Sequence, residues 1–427
     1  MSQSQEEEHV ARRRSPLAQV ESCLVTGGCG YTGRALVAAL IGSGRRVRVL
    51  DVQAPAEPLD GVEYMRGSMT DPETVRAACE GVDTVFNVAA LINLDSLRWA
   101  RPRERALAEQ VNVEGPRLLV ATCRELGIPR LVQTSSNAVT FKGVEEDADE
   151  SAPYAPEPGD VYTETKLRAE KLVLEANGPD FSTCALRPGM IYGPGEAHHL
   201  PRLVREVVSG RFVATVGHPA ARSDCSFIDS VVDAHIRAAE QLTPDGPASG
   251  KAYFINDGEP MNYFAFFAPL VEAMGARMPR LRLPLSLMSA LGWFMEMTRA
   301  TLGFPAQPFL RRYEVLKTAT SHYYRVDRAR RDLGYEPLVT TQEGLERTIP
   351  YCRALHRSFD PIQRPPFAVW FAVLAGMGIL GLIACHDGTW QWWSGQVFSV
   401  LPLAVYQWTF AVAVGLHVGE GFYAWRL

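Results

Sequence analysis

No basic stripe runs through this sequence. Its 427 residues carry a formal net charge of −5, so nothing marks it as a nucleic-acid partner. No two of its eight cysteines form a C-x-x-C pair. That spacing speaks against a zinc site or a disulfide framework and predicts free thiols in a reducing compartment. The first 20 residues lack an apolar core, being dominated by Glu6-Glu7-Glu8 and Arg12-Arg13-Arg14. A secretory signal is therefore not expected, and residues 1–20 read as a disordered polar tail. No internal repeat is apparent. His198-His199 has no acidic companions at metal-ligand spacing, so no metal is expected.

What is present begins with Thr26-Gly27-Gly28-Cys29-Gly30-Tyr31-Thr32-Gly33. Strand-forming Cys23–Thr26 leads into it, and a helical pattern from Arg34 leads out. A glycine-rich turn between a strand and a helix N-terminus is an anion site, because bare N–H groups and the helix dipole point at a phosphate. Gly27 permits the tight turn, Gly30 lets a pyrophosphate approach with Tyr31 beside it, and Gly33 lets the helix pack closely. A second strand, Arg46–Leu50, ends in Asp51, 18 residues beyond Gly33. A carboxylate about 20 residues on is suited to the adenosine ribose hydroxyls, and it would repel a 2′-phosphate. NAD is thus favoured over NADP, with Arg45 and Arg46 nearby tempering the preference.

From Glu21 to Arg187 strands alternate with helices, which predicts a doubly wound parallel α/β sheet. Strands are expected at 23–26, 46–50, 62–65, 84–88, 131–134 and 182–186. Helices are expected at 34–43, 72–80, 111–126 and 161–177, with Gly81, Gly127 and Gly178 as caps. Beyond Arg187, glycine and proline crowd the chain, and 188–350 reads as a smaller substrate-binding region. It has helical patterns at 229–241 and 264–274 and a strand at 252–255. Leu283–Met295 is apolar but too short to span a membrane. It reads as core, with a pocket wall or a membrane-facing patch as alternatives. Residues 351–366, ending in three prolines, read as a linker.

The end of the chain is apolar. Phe367–Cys385 and Val397–Val418 run 19 and 22 residues without Asp, Glu, Lys or Arg, each enough to cross about 30 Å of hydrocarbon. Trp390, Trp392 and Trp393 lie between them, and arginines flank the outer ends. This predicts a transmembrane hairpin over 367–427 with the catalytic part cytosolic. Pro402, Gln407 and His417 interrupt the second span, leaving one span plus a packed segment as the alternative.

Chemistry enters at Tyr162-Thr-Glu-Thr-Lys166. Four residues apart on a helix puts both side chains on one face. An ammonium beside a phenol favours the phenolate, giving a general base near neutral pH. Fewer than one Y-x-x-x-K is expected by chance, and the chain has two. Position separates them. Tyr162 opens the helix after the strand that ends in Thr134-Ser135-Ser136, on the rim where ligands bind. Tyr313 and Lys317 follow far later in the chain, outside the expected nucleotide-binding unit.

Glycine loop, acid, strand-end serine and Y-x-x-x-K, in this order, resemble the extended short-chain dehydrogenase/reductases. Val111-Asn112-Val113-Glu114-Gly115, Leu186-Arg187-Pro188, Ile191-Tyr192-Gly193-Pro194-Gly195 and Phe227-Ile228-Asp229 with Ala234-His235 extend the match over about residues 21–350. The combination looks most like the 3β-hydroxysteroid dehydrogenase branch, near member E of subfamily 42. The resemblance implies a Rossmann domain over 21–187 holding NAD. Tyr162 takes the substrate hydroxyl proton, and Lys166 binds the nicotinamide ribose and lowers the Tyr162 pKa. Ser136 bonds the reacting oxygen, with Ser135 as its substitute. Asn112 supports a water near Lys166 or is satisfied by backbone. Pro188 passes near the nicotinamide. The implied substrate is a 3β-hydroxysteroid or sterol, the implied setting the endoplasmic reticulum membrane, and a homodimer is compatible. A sugar-nucleotide epimerase or dehydratase, using Arg202, Arg205 and Arg222, is the alternative enzyme. A non-catalytic nucleotide-sensing membrane scaffold is a third reading. Two positions depart from the pattern: Ser68 replaces the usual acid at the adenine, and Asn87 replaces a frequent histidine.

Overall fold

The computed structural model describes residues 19–92, 97, 100–302 and 310–359. The expected tail 1–20, save its last two residues, the end of the linker 351–366 and the membrane hairpin 367–427 lie outside the described residues. Among the described residues no helix is long and apolar enough to cross a membrane.

Seven parallel strands form one sheet. In chain order they are β1 (Ser22–Thr26), β2 (Arg46–Asp51), β3 (Val62–Arg66), β4 (Thr84–Asn87), β5 (Arg130–Thr134), β6 (Ser182–Pro188) and β7 (Lys251–Ile255). Their spatial order is β7-β6-β5-β4-β1-β2-β3. The order reverses between β1 and β4, and ligands bind in such a crevice beyond the carboxyl ends. All seven residues of β6 are buried, as expected for a strand covered on both faces. Cys23 and Val25 of β1 point into one core and Leu24 into the other, which is the period of two that a pleated strand imposes.

Helices cover both faces. α1 (Tyr31–Gly42) packs with the later helix Ile228–Glu240 on one side. α2 (Pro72–Cys79) and α4 (Gly115–Leu126) cover the other. Asp71 caps α2 by accepting from the Thr74 amide at 3.3 Å. The helix expected over 111–126 is in fact interrupted. α3 (Pro102–Glu109) runs through a π-helical turn, Gln110–Glu114, into α4. Gly127, at φ 67°, closes α4 as expected. Gly178 is no cap: it bridges to Phe181, and Ala176 ends α5 (Val161–Glu175).

The chain after Arg187 returns to the sheet, because β7 pairs with β6 along its length. Glu145–Ala148 pairs with His322–Tyr324, tying the late segment to the loop beyond β5. The start of the expected linker is helical: Thr341–Ser358 continues through it, with Leu345, Thr348 and Cys352 buried on one face. Leu283–Met295 is not core. It forms most of the helix Leu285–Leu302 and leaves Leu287, Trp293 and Phe294 exposed.

A polar ladder crosses the sheet near the crevice. Thr26 Oγ1 donates to Asn87 Oδ1 at 2.6 Å, and Asn87 Nδ2 donates to Gln133 Oε1 at 2.7 Å. All three side chains are buried. Asn87 therefore departs from the frequent histidine while bonding both neighbouring strands. Asn87→Leu would leave the Thr26 hydroxyl proton without its acceptor and the Gln133 side-chain oxygen without its donor. An expected loss of about 3 kcal/mol should appear as a lower urea midpoint with an unchanged m-value.

Candidate active site

The glycine loop sits at the crevice. Gly27 has φ 69°, donates its N–H to Leu50 O at 2.9 Å, and lies so close to Ala89 that a Cβ would fall 2.7 Å from the Ala89 Cα. Gly30 precedes α1 and offers no side chain to cap it, so the first amides of the helix stay available to an anion. Gly33 packs the helix against the loop rather than the strand: a Cβ there would strike the Gly27 carbonyl oxygen and Gly28 Cα.

Asp51 is pinned beside this loop. One carboxylate oxygen accepts from Cys29 N at 3.0 Å and the other from Gln53 N at 2.9 Å. Each oxygen keeps lone-pair capacity for ribose hydroxyls. Arg45 is engaged with Glu240 at 2.6 Å, and Arg46 begins β2 at the strand's far end. Neither stands beside Asp51 to receive a 2′-phosphate. Tyr31 opens α1 with a buried hydroxyl that has no hydrogen-bond partner among the described residues, directed toward Gly193. Burial, reinforced by Glu196 and Asp229, raises its pKa, so it remains a donor. The uncapped amides at the start of α1 fit a dinucleotide pyrophosphate. Ser68 is turned into a local bond with Thr70 at 2.7 Å.

Across the crevice, β5 meets α5. Asp160 caps α5 by accepting from Thr163 N at 2.7 Å, which sets Tyr162 in the first turn, partly exposed at the rim. Desolvation and the Asp160 charge push Tyr162 up to about 12, while the Ser136 hydroxyl facing it favours the phenolate. Lys166 is buried and donates to Thr134 O at 2.8 Å. Its Nζ lies 5.9 Å from the Tyr162 ring centroid, and burial brings it down to about 8. The ammonium is held on a backbone carbonyl.

Ser135 is committed elsewhere, donating to Glu170, which leaves Ser136 facing the tyrosine. Asn112 lies in the π turn. Both its N–H groups are spent, on Leu91 O at 2.9 Å and Thr165 Oγ1 at 2.9 Å, and its oxygen accepts from Leu91 N at 2.7 Å. It staples the segment after β4 to α5, and only a second lone pair remains for a water. Pro188 ends β6 opposite Ile255, at the sheet's carboxyl edge.

Sequence reasoning missed Glu170, which stands one turn beyond Lys166 on the same face. It also missed the partner of Thr134, whose hydroxyl lies 2.8 Å from His235 Nε2. His235 is held neutral by burial, near 4, with its Nδ1 on Val231 O at 2.7 Å. The second Y-x-x-x-K is nearer than expected. The Tyr313 ring abuts Gly159, and the Lys317 ammonium stands 4.7 Å from the Tyr313 ring and 5.9 Å from that of Phe141. Folding brings this pair to the start of α5, but it packs against aromatic rings and does not meet Ser136. The backbone amides of His198 and His199 donate to Glu196 at 2.7 and 2.9 Å.

Residues 24–285 match the 3-beta hydroxysteroid dehydrogenase/isomerase family. The chain belongs to this family. It is 37% identical over 414 residues to short-chain dehydrogenase/reductase family 42E member 1 of Mus musculus, covering 92% of this chain and 97% of that one. It is 40% identical over 335 residues to the 3 beta-hydroxysteroid dehydrogenase/Delta 5→4-isomerase of Mycobacterium tuberculosis, covering 77% and 89%. Among solved structures, MoeE5 in complex with UDP-glucose and NAD superposes with a TM-score of 0.59 at 25% identity, covering 78% and 99%. A short-chain dehydrogenase/reductase superfamily protein from Agrobacterium tumefaciens with bound NAD gives 0.58 at 21%, covering 79% and 97%. The chain is an NAD-dependent oxidoreductase acting on CH–OH.

Proposed function

We propose that the enzyme oxidises the 3β-hydroxyl of a steroid or sterol while tethered to a membrane. The observation that carries the catalytic part is the convergence of Ser136, Tyr162 and Lys166 on the rim that also bears the glycine loop. Ser136 bonds the substrate oxygen, and Tyr162 takes its proton as the carbon gives up hydride. Lys166, seated on Thr134 O, would hold the nicotinamide ribose. Tyr31, Gly30, Asp51 and Pro188 would hold NAD, which would supply the hydride acceptor.

The steroid reading draws on the family and on the named mycobacterial relative. The nucleotide-sugar reading needs cations for a diphosphate, and the candidate arginines are engaged. Arg202 pairs with Glu314 at 3.1 Å, Arg205 stands over the Phe359 ring, and Arg222 donates to Tyr323 Oη at 2.7 Å. A non-catalytic scaffold would have no use for the assembled Ser136, Tyr162 and Lys166. The apolar segments over 367–427 supply the tether, a hairpin in the endoplasmic reticulum membrane with the catalytic part cytosolic. A sterol partitions into that same phase, and a homodimer is compatible with the arrangement.

Full-length protein in microsomes, given NAD and a panel of 3β-hydroxysteroids, is expected to produce NADH and 3-ketosteroid. Conversion of UDP-glucose with no steroid turned over would reverse the choice of substrate. The protein should stay in the pellet after alkaline carbonate extraction; release into the supernatant would remove the tether.

A further inference from the structure

The end of β5 and one face of α5 are joined residue by residue. Thr134 O holds Lys166, the Ser136 hydroxyl faces Tyr162, and the Ser135 hydroxyl donates to Glu170. Tyr162, Lys166 and Glu170 are spaced four apart, so they share the helix face that meets the sheet. Glu170 is fully buried. Besides Ser135 it accepts from Tyr154 Oη at 2.8 Å and from Arg187 Nε at 3.1 Å and Nη2 at 2.5 Å. Arg187 comes from β6 and lies between the Tyr154 and Phe254 rings, 5.3 and 5.2 Å from their centroids. The carboxylate is therefore immobilised from β5, from β6 and from the loop that carries Tyr154.

The geometry assigns Glu170 as a positioning residue: its carboxylate anchors Ser135, so that the adjoining Ser136 is presented to Tyr162, and places a negative charge beside the buried Lys166 ammonium. The inference rests on the reading of Tyr162 as the acid–base group. A hydroxyl that swings freely loses the alignment on which proton transfer depends. A buried ammonium without a countercharge loses its proton. The titratable groups facing Lys166 are Glu170 and Tyr162 on its own helix and His235 from Ile228–Glu240, with Arg187 of β6 beyond Glu170. Of these, Glu170 opposes the fall that burial imposes on Lys166.

The chain has only five lysines, so full-length protein labelled with 13C at the lysine Cε reports Lys166 directly, assigned with Lys166→Arg. In Glu170→Gln/Arg187→Met, which removes both charges together, the Lys166 midpoint should fall by about half a pH unit or more. The alkaline limb of kcat should fall with it. Ser135→Ala spares the ion pair and should lower kcat about tenfold with the Lys166 midpoint unmoved. An unmoved midpoint in the double variant overturns the charge role, and wild-type kcat in Ser135→Ala overturns the anchoring. Should the double variant not fold, Glu170→Gln at low temperature gives the midpoint and Ser135→Ala decides the anchoring. Tyr162→Phe separates the layers. If it turns over normally, the acid–base reading itself falls; if it is inactive while the Glu170 and Ser135 variants behave as wild type, this inference alone falls.

Discussion

Tyr162→Phe is expected to cut kcat by about 10²–10⁴-fold while leaving NAD affinity and the melting temperature close to wild type. The substitution removes one oxygen and keeps the ring. Tyr162 sits partly exposed in the first turn of α5, where Asp160 and not the phenol caps the helix. Its hydroxyl faces Ser136, which keeps Asn137–Thr140 capped by accepting from Ala138 N at 3.2 Å. Little of the fold depends on the oxygen, so the loss should fall on the chemical step. Steady-state turnover of a 3β-hydroxysteroid, with NAD binding followed by fluorescence, makes the comparison. Equal turnover by the two proteins would remove Tyr162 from the mechanism.

Gly33→Ala is expected to weaken NAD binding by about 100-fold or more and to destabilise the protein by several kcal/mol, since overpacking against backbone has no easy relief. The added Cβ would meet the Gly27 carbonyl oxygen and Gly28 Cα, both within the loop that faces the pyrophosphate. Either α1 moves away or the loop deforms, and each disturbs the amides offered to the anion. Gly42→Ala is the control. It lies in the same helix with open space around its Cβ position, and should be neutral or stabilising by about 0.5–1 kcal/mol. Calorimetric titration with NAD and thermal melts of both variants check the contrast. Wild-type affinity in Gly33→Ala would show that the loop yields without cost.

Local signals carried the first six strands and the glycine loop. Each strand is a short β-branched or apolar run bounded by a turn, and the loop's spacing is its own signature. The seventh strand was also visible as a strand, but its place beside β6 was not, because 62 residues separate Pro188 from Lys251 and pairing is a property of the folded chain. Burial of Leu283–Met295 was misjudged for a related reason. Apolar composition does not say whether a helix finds a neighbour, and Leu287, Trp293 and Phe294 face outward.

At the site, residue types were legible and their partners were not. Ser136, Tyr162 and Lys166 follow from position on a strand end and a helix. That Ser135 belongs to Glu170, or that both Asn112 N–H groups are already used, depends on contacts 35 and 53 residues apart. The pairing of Lys166 with a backbone carbonyl leaves no trace in sequence, since any residue at 134 offers one. The same holds for Tyr313, remote in the chain and adjacent to Gly159 in space.

The hydrogen bond from Cys29 N to Asp51 joins the two ends of the cofactor groove. The acid that selects against a 2′-phosphate also restrains the loop facing the pyrophosphate. Replacing Asp51 by a residue unable to accept from Cys29 N, to admit NADP, would therefore slacken the grip on the diphosphate. A polar side chain able to accept from Cys29 N, such as serine or asparagine, is the passable intermediate; alanine or glycine is not.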